Sequence, residues 1–228
     1  MEQDIVKRFF TGTGASYDFV VNLFTYGADR YWKKKMLATV PTAKTILDLA
    51  CGTGILTFKL LEKFPECEVV GVDRMPEYLA VARQKLRRRK LKKVHFICAR
   101  AEQIQFKTLF DCITSSYIPK YVPAEKLVGN ISANLQQGGS LVLHDFALPE
   151  KFVFQRLWAV HMKLMKYLGT PLLPKWRVIF CELEGLVRST QWITEYQAAL
   201  RGRGFQDIQV KRLTAGSAAI LTAIKGWH

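Results

Sequence analysis

Apolar and polar positions along this chain follow two periods, and the switches between them lay out its elements. Short runs crowded with Val, Ile, Leu and Phe occur at residues 45–50, 68–73, 94–99, 110–115 and 140–146. Runs this short and this apolar predict buried strands. Between them, residues 55–64, 76–90 and 124–136 space their apolar side chains by three and four, which predicts helices. Gly138-Gly139 is expected to stop the third helix, because glycine tolerates the left-handed turn that ends one. This alternation predicts an α/β fold, a mainly parallel sheet with helices on both faces.

The alternation pauses after Phe146. Residues 151–168 read as a long helix crowded with Phe152, Phe154, Trp158, Met162, Met165 and Tyr167, followed by the break Gly169-Thr170-Pro171 and a less regular segment to Arg188. Ser189 or Thr190 is expected to cap a last helix ending by Gly204. Two final strands, 207–213 and 218–225, are joined by Ala215-Gly216-Ser217. A link so short forbids a parallel crossover, so they form an antiparallel hairpin. No repeat and no Pro-, Gly- or Ser-rich linker divides the chain, so a single domain over 1–228 is expected. Its parts are N-terminal lid helices (1–40), a cofactor-binding core (44–146), a helical substrate cap (149–188) and the last helix with the hairpin (189–228).

Composition narrows the class. With 49% apolar residues in a chain of 228, a large core is available and a disordered or low-complexity chain is excluded. Five cysteines without C-x-x-C spacing argue against a disulfide scaffold or a thiolate zinc site and for a reducing compartment. No run reaches 18 apolar residues, and no leader pattern opens the chain, so a cytoplasmic protein is expected. No His, Cys and carboxylate grouping has metal-ligand spacing, so no metal is expected. Neither Ser115 nor Ser116 lies in a G-x-S-x-G elbow. The net charge of +15 predicts attraction to something anionic.

The chemistry starts at Ile46-Leu47-Asp48-Leu49-Ala50-Cys51-Gly52-Thr53-Gly54, a buried strand running through a turn into a helix. Gly52 and Gly54 let a ligand approach the backbone, and the helix start aims unpaired N–H groups at it. Thr57 stands where a dinucleotide fingerprint has its third glycine, and Asp48 would repel a pyrophosphate, yet it suits an ammonium group. Nineteen residues after Gly54 the next strand ends in Asp73, placed to accept both ribose hydroxyls of a nucleoside. Arg74 follows, and then Met75, whose apolar side chain is spaced to lie on a purine face. S-adenosylmethionine fits this set: an ammonium, a ribose and no phosphate.

Asp48-Leu49-Ala50-Cys51-Gly52-Thr53-Gly54, Phe110-Asp111-Cys112-Ile113-Thr114 and Gly138-Gly139 resemble class I methyltransferases, whose Rossmann-like sheet has seven strands ending in an antiparallel hairpin. Phe9-Phe10, Ser16-Tyr17-Asp18, Gly27 and Arg30-Tyr31-Trp32-Lys33 are similar to the opening helices of the ubiquinone/menaquinone biosynthesis C-methyltransferase (UbiE-type) family. Leu213-Thr214-Ala215-Gly216 with Ala218-Ala219 is similar to its final hairpin. The resemblance implies a helical lid, a helical insertion after strand five, and cofactor contacts at Thr53, Asp73, Arg100, Ala101 and Ser116. Position 100 departs from the family's Asp or Asn, and Arg100 cannot accept a hydrogen bond from an adenine amino group. Ala101 and Glu102 are then expected to take over that contact. The family's Gly-Leu-Arg-Asn reads Ile118-Pro119-Lys120-Tyr121 here, and its Glu-Phe reads His144-Asp145-Phe146.

In doubly wound sheets ligands bind beyond the carboxyl ends of the strands, which places Ser115, Ser116, Tyr117, Lys120, His144 and Asp145 around the transferred methyl. If the acceptor is a ring carbon of a prenylated quinol, a base must remove a phenolic proton. His144 is one candidate, while Tyr117 and Lys120 are candidates to stabilise the phenolate. A structural histidine at a strand end is the competing explanation for His144, and His161 reads as a wall residue. The cationic run 83–93 reads as a solvated helix end, as a site for anionic lipid, or as an RNA contact. The expected partner is a hydrophobic small-molecule acceptor. An anionic membrane surface at the inner face and a homodimer stay open, and nucleic acid is disfavoured. The rivals are another small aromatic or lipid-like acceptor, RNA methylation, and a scaffold that binds cofactor or lipid without catalysis.

Overall fold

The strand and helix alternation of residues 45–146 builds the larger part of one seven-stranded sheet. The computed structural model describes residues 4–227, so the first three residues of the expected lid and the last of the expected hairpin lie outside it. β1 (Thr45–Leu49), β2 (Glu68–Asp73), β3 (Val94–Cys98), β4 (Phe110–Ser116) and β5 (Leu135–Phe146) run parallel. β6 (Phe205–Leu213) and β7 (Ala218–Lys225) form the antiparallel hairpin, and the order is β3-β2-β1-β4-β5-β7-β6. Strand order reverses between β1 and β4, where a crevice opens at the carboxyl ends.

Ten helices surround the described sheet: α1 (Ile5–Phe10), α2 (Tyr17–Phe24), α3 (Ala28–Thr39), α4 (Ile55–Lys63), α5 (Pro76–Arg89), α6 (Ala124–Asn134), α7 (Phe152–Leu164), the single turn α8 (Thr170–Leu172), α9 (Arg177–Ser189) and α10 (Trp192–Gly202). Side chains alternate across a strand. Thus Leu47, Leu49 and Ile113 pack with Leu127 and Ile131 of α6 and Trp192 and Tyr196 of α10. Ile46, Val69 and Val142 face Trp32 and Met36 of α3 and Leu56 and Leu60 of α4. A third cluster joins Phe9 and Val20 to Trp158, Met162, Trp176 and Phe180, closing α1 and α2 against the segment after β5.

Three local expectations are corrected. Gly138-Gly139 does not stop a helix: α6 ends at Asn134, and both glycines lie in β5 beside a register shift opposite Phe110 and Cys112. The last helix begins at Trp192 with Gln191 at its cap and no side-chain cap bond, so neither Ser189 nor Thr190 caps it. The segment up to Arg188 is not irregular but contains α9, whose Ile179, Phe180, Leu183 and Val187 are buried at helical spacing. Gly185 lies inside this helix facing open space, and the helix holds because its apolar face packs into the third cluster. α7 stops at Leu164 and runs on through a π-helical turn, Met165–Gly169.

Candidate active site

The turn after β1 holds three left-handed residues, Ala50 (φ 53°), Gly52 (φ 56°) and Gly54 (φ 81°). At Gly54 a Cβ would also stand 2.7 Å from the Phe58 ring, so only glycine fits there without movement. Across the turn, Asp73 at the end of β2 accepts the Gly52 N–H on Oδ2 and the Met75 N–H on Oδ1, both at 2.8 Å. Burial raises its pKa, and the two N–H groups oppose that shift. Each oxygen keeps a lone pair for a further donor.

Asp73 stands in the wall of a cavity of about 730 Å³ that also touches Ala50, Gly52, Arg74, Met75, Arg100, Ala101, Glu102 and Ser116. Nine of the expected cofactor residues thus meet in one place. Four do not line it: Asp48, Thr53, Gly54 and Ser115. Asp48 shares the face of Ile46 and is buried, holding the Thr57 hydroxyl at 2.6 Å and the Thr114 hydroxyl at 3.0 Å. Burial lifts its pKa to about 7. Thr53 gives its hydroxyl to Asp18 at 2.5 Å, and Ser115 gives its own to the Leu49 carbonyl at 2.5 Å. Arg100 turns its Nε to Glu102 at 2.9 Å, so that carboxylate already has one cationic partner.

The lid closes this cavity from residues that the sequence did not single out. Asp4 caps α1, pairs with Arg74 and comes within 4.0 Å of Arg100. Arg8 holds Glu182 of α9 at 2.5 Å, and the Tyr78 hydroxyl meets Thr13 at 2.7 Å.

A second cavity of about 460 Å³ lies under the segment after β5, walled by Phe24, Trp158, Met162, Ile179 and Phe180. The two cavities share Phe10, Tyr17, Tyr117 and Tyr121. Tyr117 (φ 76°) gives its hydroxyl to buried Asp29 at 2.6 Å, and Asp29 also pairs with Lys33. Lys33 Nζ stands 4.7 Å and Lys120 Nζ 5.1 Å from the Tyr117 ring centre, a double cation–π arrangement. Lys120 lines the second cavity and binds Asp145 at 2.6 Å and the Tyr117 carbonyl at 3.1 Å. Burial lowers its pKa, and Asp145 opposes that shift. Asp29 carried no motif, and its role emerges only when α3 meets the loop after β4.

His144 reaches neither cavity. It shares the face of Val142, behind Tyr117 and against Trp32, with ring centres 5.0 and 5.6 Å away, and its Nδ1 meets Ser116 Oγ at 3.0 Å. Burial, with Lys33 and Lys120 nearby, holds its pKa well below the usual range. The structural explanation fits this position, whereas a base in contact with acceptor does not. His161 does line the second cavity, as a wall residue should.

A sequence model described as the ubiE/COQ5 methyltransferase family matches residues 1–225. The demethylmenaquinone methyltransferase of Thermus thermophilus is 36% identical over 165 residues, covering 70% of this chain and 74% of that protein. The enzyme of the same description from Geobacillus stearothermophilus is 28% identical over 227 residues, 96% of each chain. Among solved structures, human N-acetylserotonin methyltransferase in complex with SAM superposes with a TM-score of 0.65 at 17% identity. That match covers 99% of this chain, which spans 60% of the human enzyme's length, and it speaks for the fold alone.

Proposed function

This chain belongs to the ubiE/COQ5 methyltransferase family, and from that premise we propose that it methylates a ring carbon of a prenylated quinol in quinone biosynthesis. It is an S-adenosylmethionine-dependent methyltransferase. The first cavity fits that cofactor: Asp73 has lone pairs for two ribose hydroxyls, and the left-handed turn at Ala50 and Gly52 lets a ligand lie against backbone. Met75 and Ala101 offer apolar surface to a purine. When bound, S-adenosylmethionine supplies an electrophilic methyl group.

The observation that carries the reading is the pair of cavities, one edged with charged and polar side chains among apolar ones and the other almost wholly apolar, meeting at Phe10, Tyr17, Tyr117 and Tyr121. A flat ring seated at that seam presents its edge to the first cavity while its tail fills the second. Positioning of this sort supplies much of the rate in a group transfer. Lys120 spends two of its three N–H bonds on Asp145 and the Tyr117 carbonyl, which leaves one for an oxygen of the acceptor. There it favours the ionised phenol, whose proton passes to solvent and whose charge makes the neighbouring carbon nucleophilic; once methylated, that carbon gives up its hydrogen as a proton to solvent. The names of the relatives favour a naphthoquinol as acceptor. A tail of that kind resides in a bilayer, so the enzyme collects its substrate as a peripheral membrane protein. RNA methylation loses its motive, because Arg87, Arg88 and Arg89 end α5 at the amino ends of the strands, away from both cavities.

The test has two arms. Asp73→Ala should weaken S-adenosylmethionine binding, read by calorimetry, by about a hundredfold or more, since each hydrogen bond to a charged group contributes about 1.5–3 kcal/mol. Labelled S-adenosylmethionine with a 2-prenyl-naphthoquinol should yield the ring-methylated product. Labelling of another lipid but not of that quinol would overturn the acceptor.

A further inference from the structure

The second cavity reaches the surface between α2 and α7, and the side chains at its mouth are the wrong kind for water. Tyr26 and Leu157 line it and are 75% and 61% exposed. Tyr26, in the turn after α2, packs on His161 of α7 at 5.1 Å, so the end of α2 adjoins α7 there. Around the mouth the exposed apolar residues are ordered. Phe19 and Leu23 lie four apart on one side of α2, Tyr26 stands in the turn that follows it, and Val153, Leu157, Val160 and Leu164 recur by four, three and four along α7. The opposite side of α7 carries Trp158 and Met162, buried in the third cluster. α7 therefore has two apolar sides, one committed to the core and one unpartnered.

Charge says what covers the unpartnered side. From Lys151 to Cys181 the chain has six Lys and Arg and no Asp or Glu. Lys151, Arg156, Lys163, Lys166, Lys175 and Arg177 are all exposed. On a helical wheel Arg156 and Lys163 border the Val153 to Leu164 stripe, the layout of a helix lying in a headgroup layer. The nearest carboxylates, Glu150 and Glu182, are engaged by Arg212 and Arg8.

We propose that the exposed sides of α2 and α7 dock on an anionic bilayer, so that the apolar cavity opens directly onto the lipid that holds the acceptor's tail. The cationic run does not take part. α5 ends where β3 begins, whereas α7 starts where β5 ends, and the two strands are parallel members of one sheet. They lie at opposite ends of strands on the order of 17 Å long. This docking deepens the reading of a tailed acceptor, yet it is measured without any turnover.

The experiment is co-sedimentation of the full chain with vesicles of phosphatidylcholine alone or with 30% phosphatidylglycerol. The parent should pellet with the anionic vesicles. Val160→Glu/Leu164→Glu should stay in the supernatant, and Arg156→Glu/Lys163→Glu should bind about thirtyfold more weakly, each cation near the surface being worth a factor of about five. Arg88→Glu/Arg89→Glu should bind as the parent does. All four side chains on α7 lie outside the cavity linings, so S-adenosylmethionine affinity by calorimetry should be unchanged and reports that the variants fold. Loss of binding in Arg88→Glu/Arg89→Glu with retention in the α7 variants would overturn the proposal. So would equal binding to neutral vesicles, or a parent that is dimeric by sedimentation, ignores vesicles and becomes monomeric in Val160→Glu/Leu164→Glu. If vesicle binding follows the expected pattern while the naphthoquinol is not methylated, the docking stands and the acceptor falls.

Discussion

Replacing Asp48 by Asn should stabilise this protein above neutral pH and change it little in acid. Burial under the β1 turn raises the carboxyl to about 7, while an unfolded Asp titrates near 3.9. Below about pH 4 both states carry the proton and the group contributes nothing. As pH rises from 4 to 7 the unfolded chain releases a proton that the fold retains, so the parent loses stability. The slope is about 1.4 kcal/mol per pH unit, and it levels off above 7 with a ceiling of about 4 kcal/mol. Asn does not titrate. It keeps one oxygen for a threonine hydroxyl and offers its NH₂ to the other, which can turn to accept. Urea unfolding of both proteins from pH 5 to 8 tests this, because every other titrating group cancels in the difference. The variant should lead by about 1.5 kcal/mol at pH 5 and by about 4 at pH 8. A gap that does not move with pH, or a variant weaker than the parent at pH 8, would refute the argument.

Four further outcomes follow from the site. His144→Gln should leave the pH profile of kcat unchanged, since the ring touches neither cavity; loss of one limb of that profile would reinstate it as the base. In urea unfolding the same variant should gain on the parent as pH falls below about 6.5, where the parent's unfolded histidine takes a proton that its buried ring refuses. Lys120→Met alone strands the buried Asp145 charge, so the useful variant is Lys120→Met/Asp145→Asn. It should fold, keep its affinity for S-adenosylmethionine, and lose kcat by about a hundredfold or more in a labelled-methyl assay, whereas parental turnover would remove Lys120 from the chemistry. Asp4→Ala should raise KM for S-adenosylmethionine by a factor of about five or less, with kcat unchanged and the effect fading in high salt, as for a partly exposed ion pair. An unchanged KM at low salt would mean that the lid does not hold the cofactor.

Much of the fold and part of the site were legible in the chain itself. Strand runs, helical spacing and the short link before Ala218 are local signals, and a link of that length leaves one topology open. The left-handed turn at Gly52 and Gly54 and the acid ending β2 were legible for the same reason, because backbone angles and spacing along one crossover do not depend on distant residues. Pattern alone also contained the parity behind two placements away from the cavities: Asp48 shares a face with Ile46, and His144 shares one with Val142.

Only the packed molecule decided which layer each face meets, and so whether a polar side chain at a strand end looks into the crevice or down onto a helix. Asp48 and His144 look down, onto α4 and α3. The seam is likewise a product of assembly, since Phe10 and Tyr17 come from the lid while Tyr117 and Tyr121 lie about a hundred residues further on. α9 formed across Gly185 because tertiary burial outweighs the modest helix cost of one glycine. Local geometry is written in short stretches of sequence, whereas contacts between distant segments depend on how every other face has already been buried.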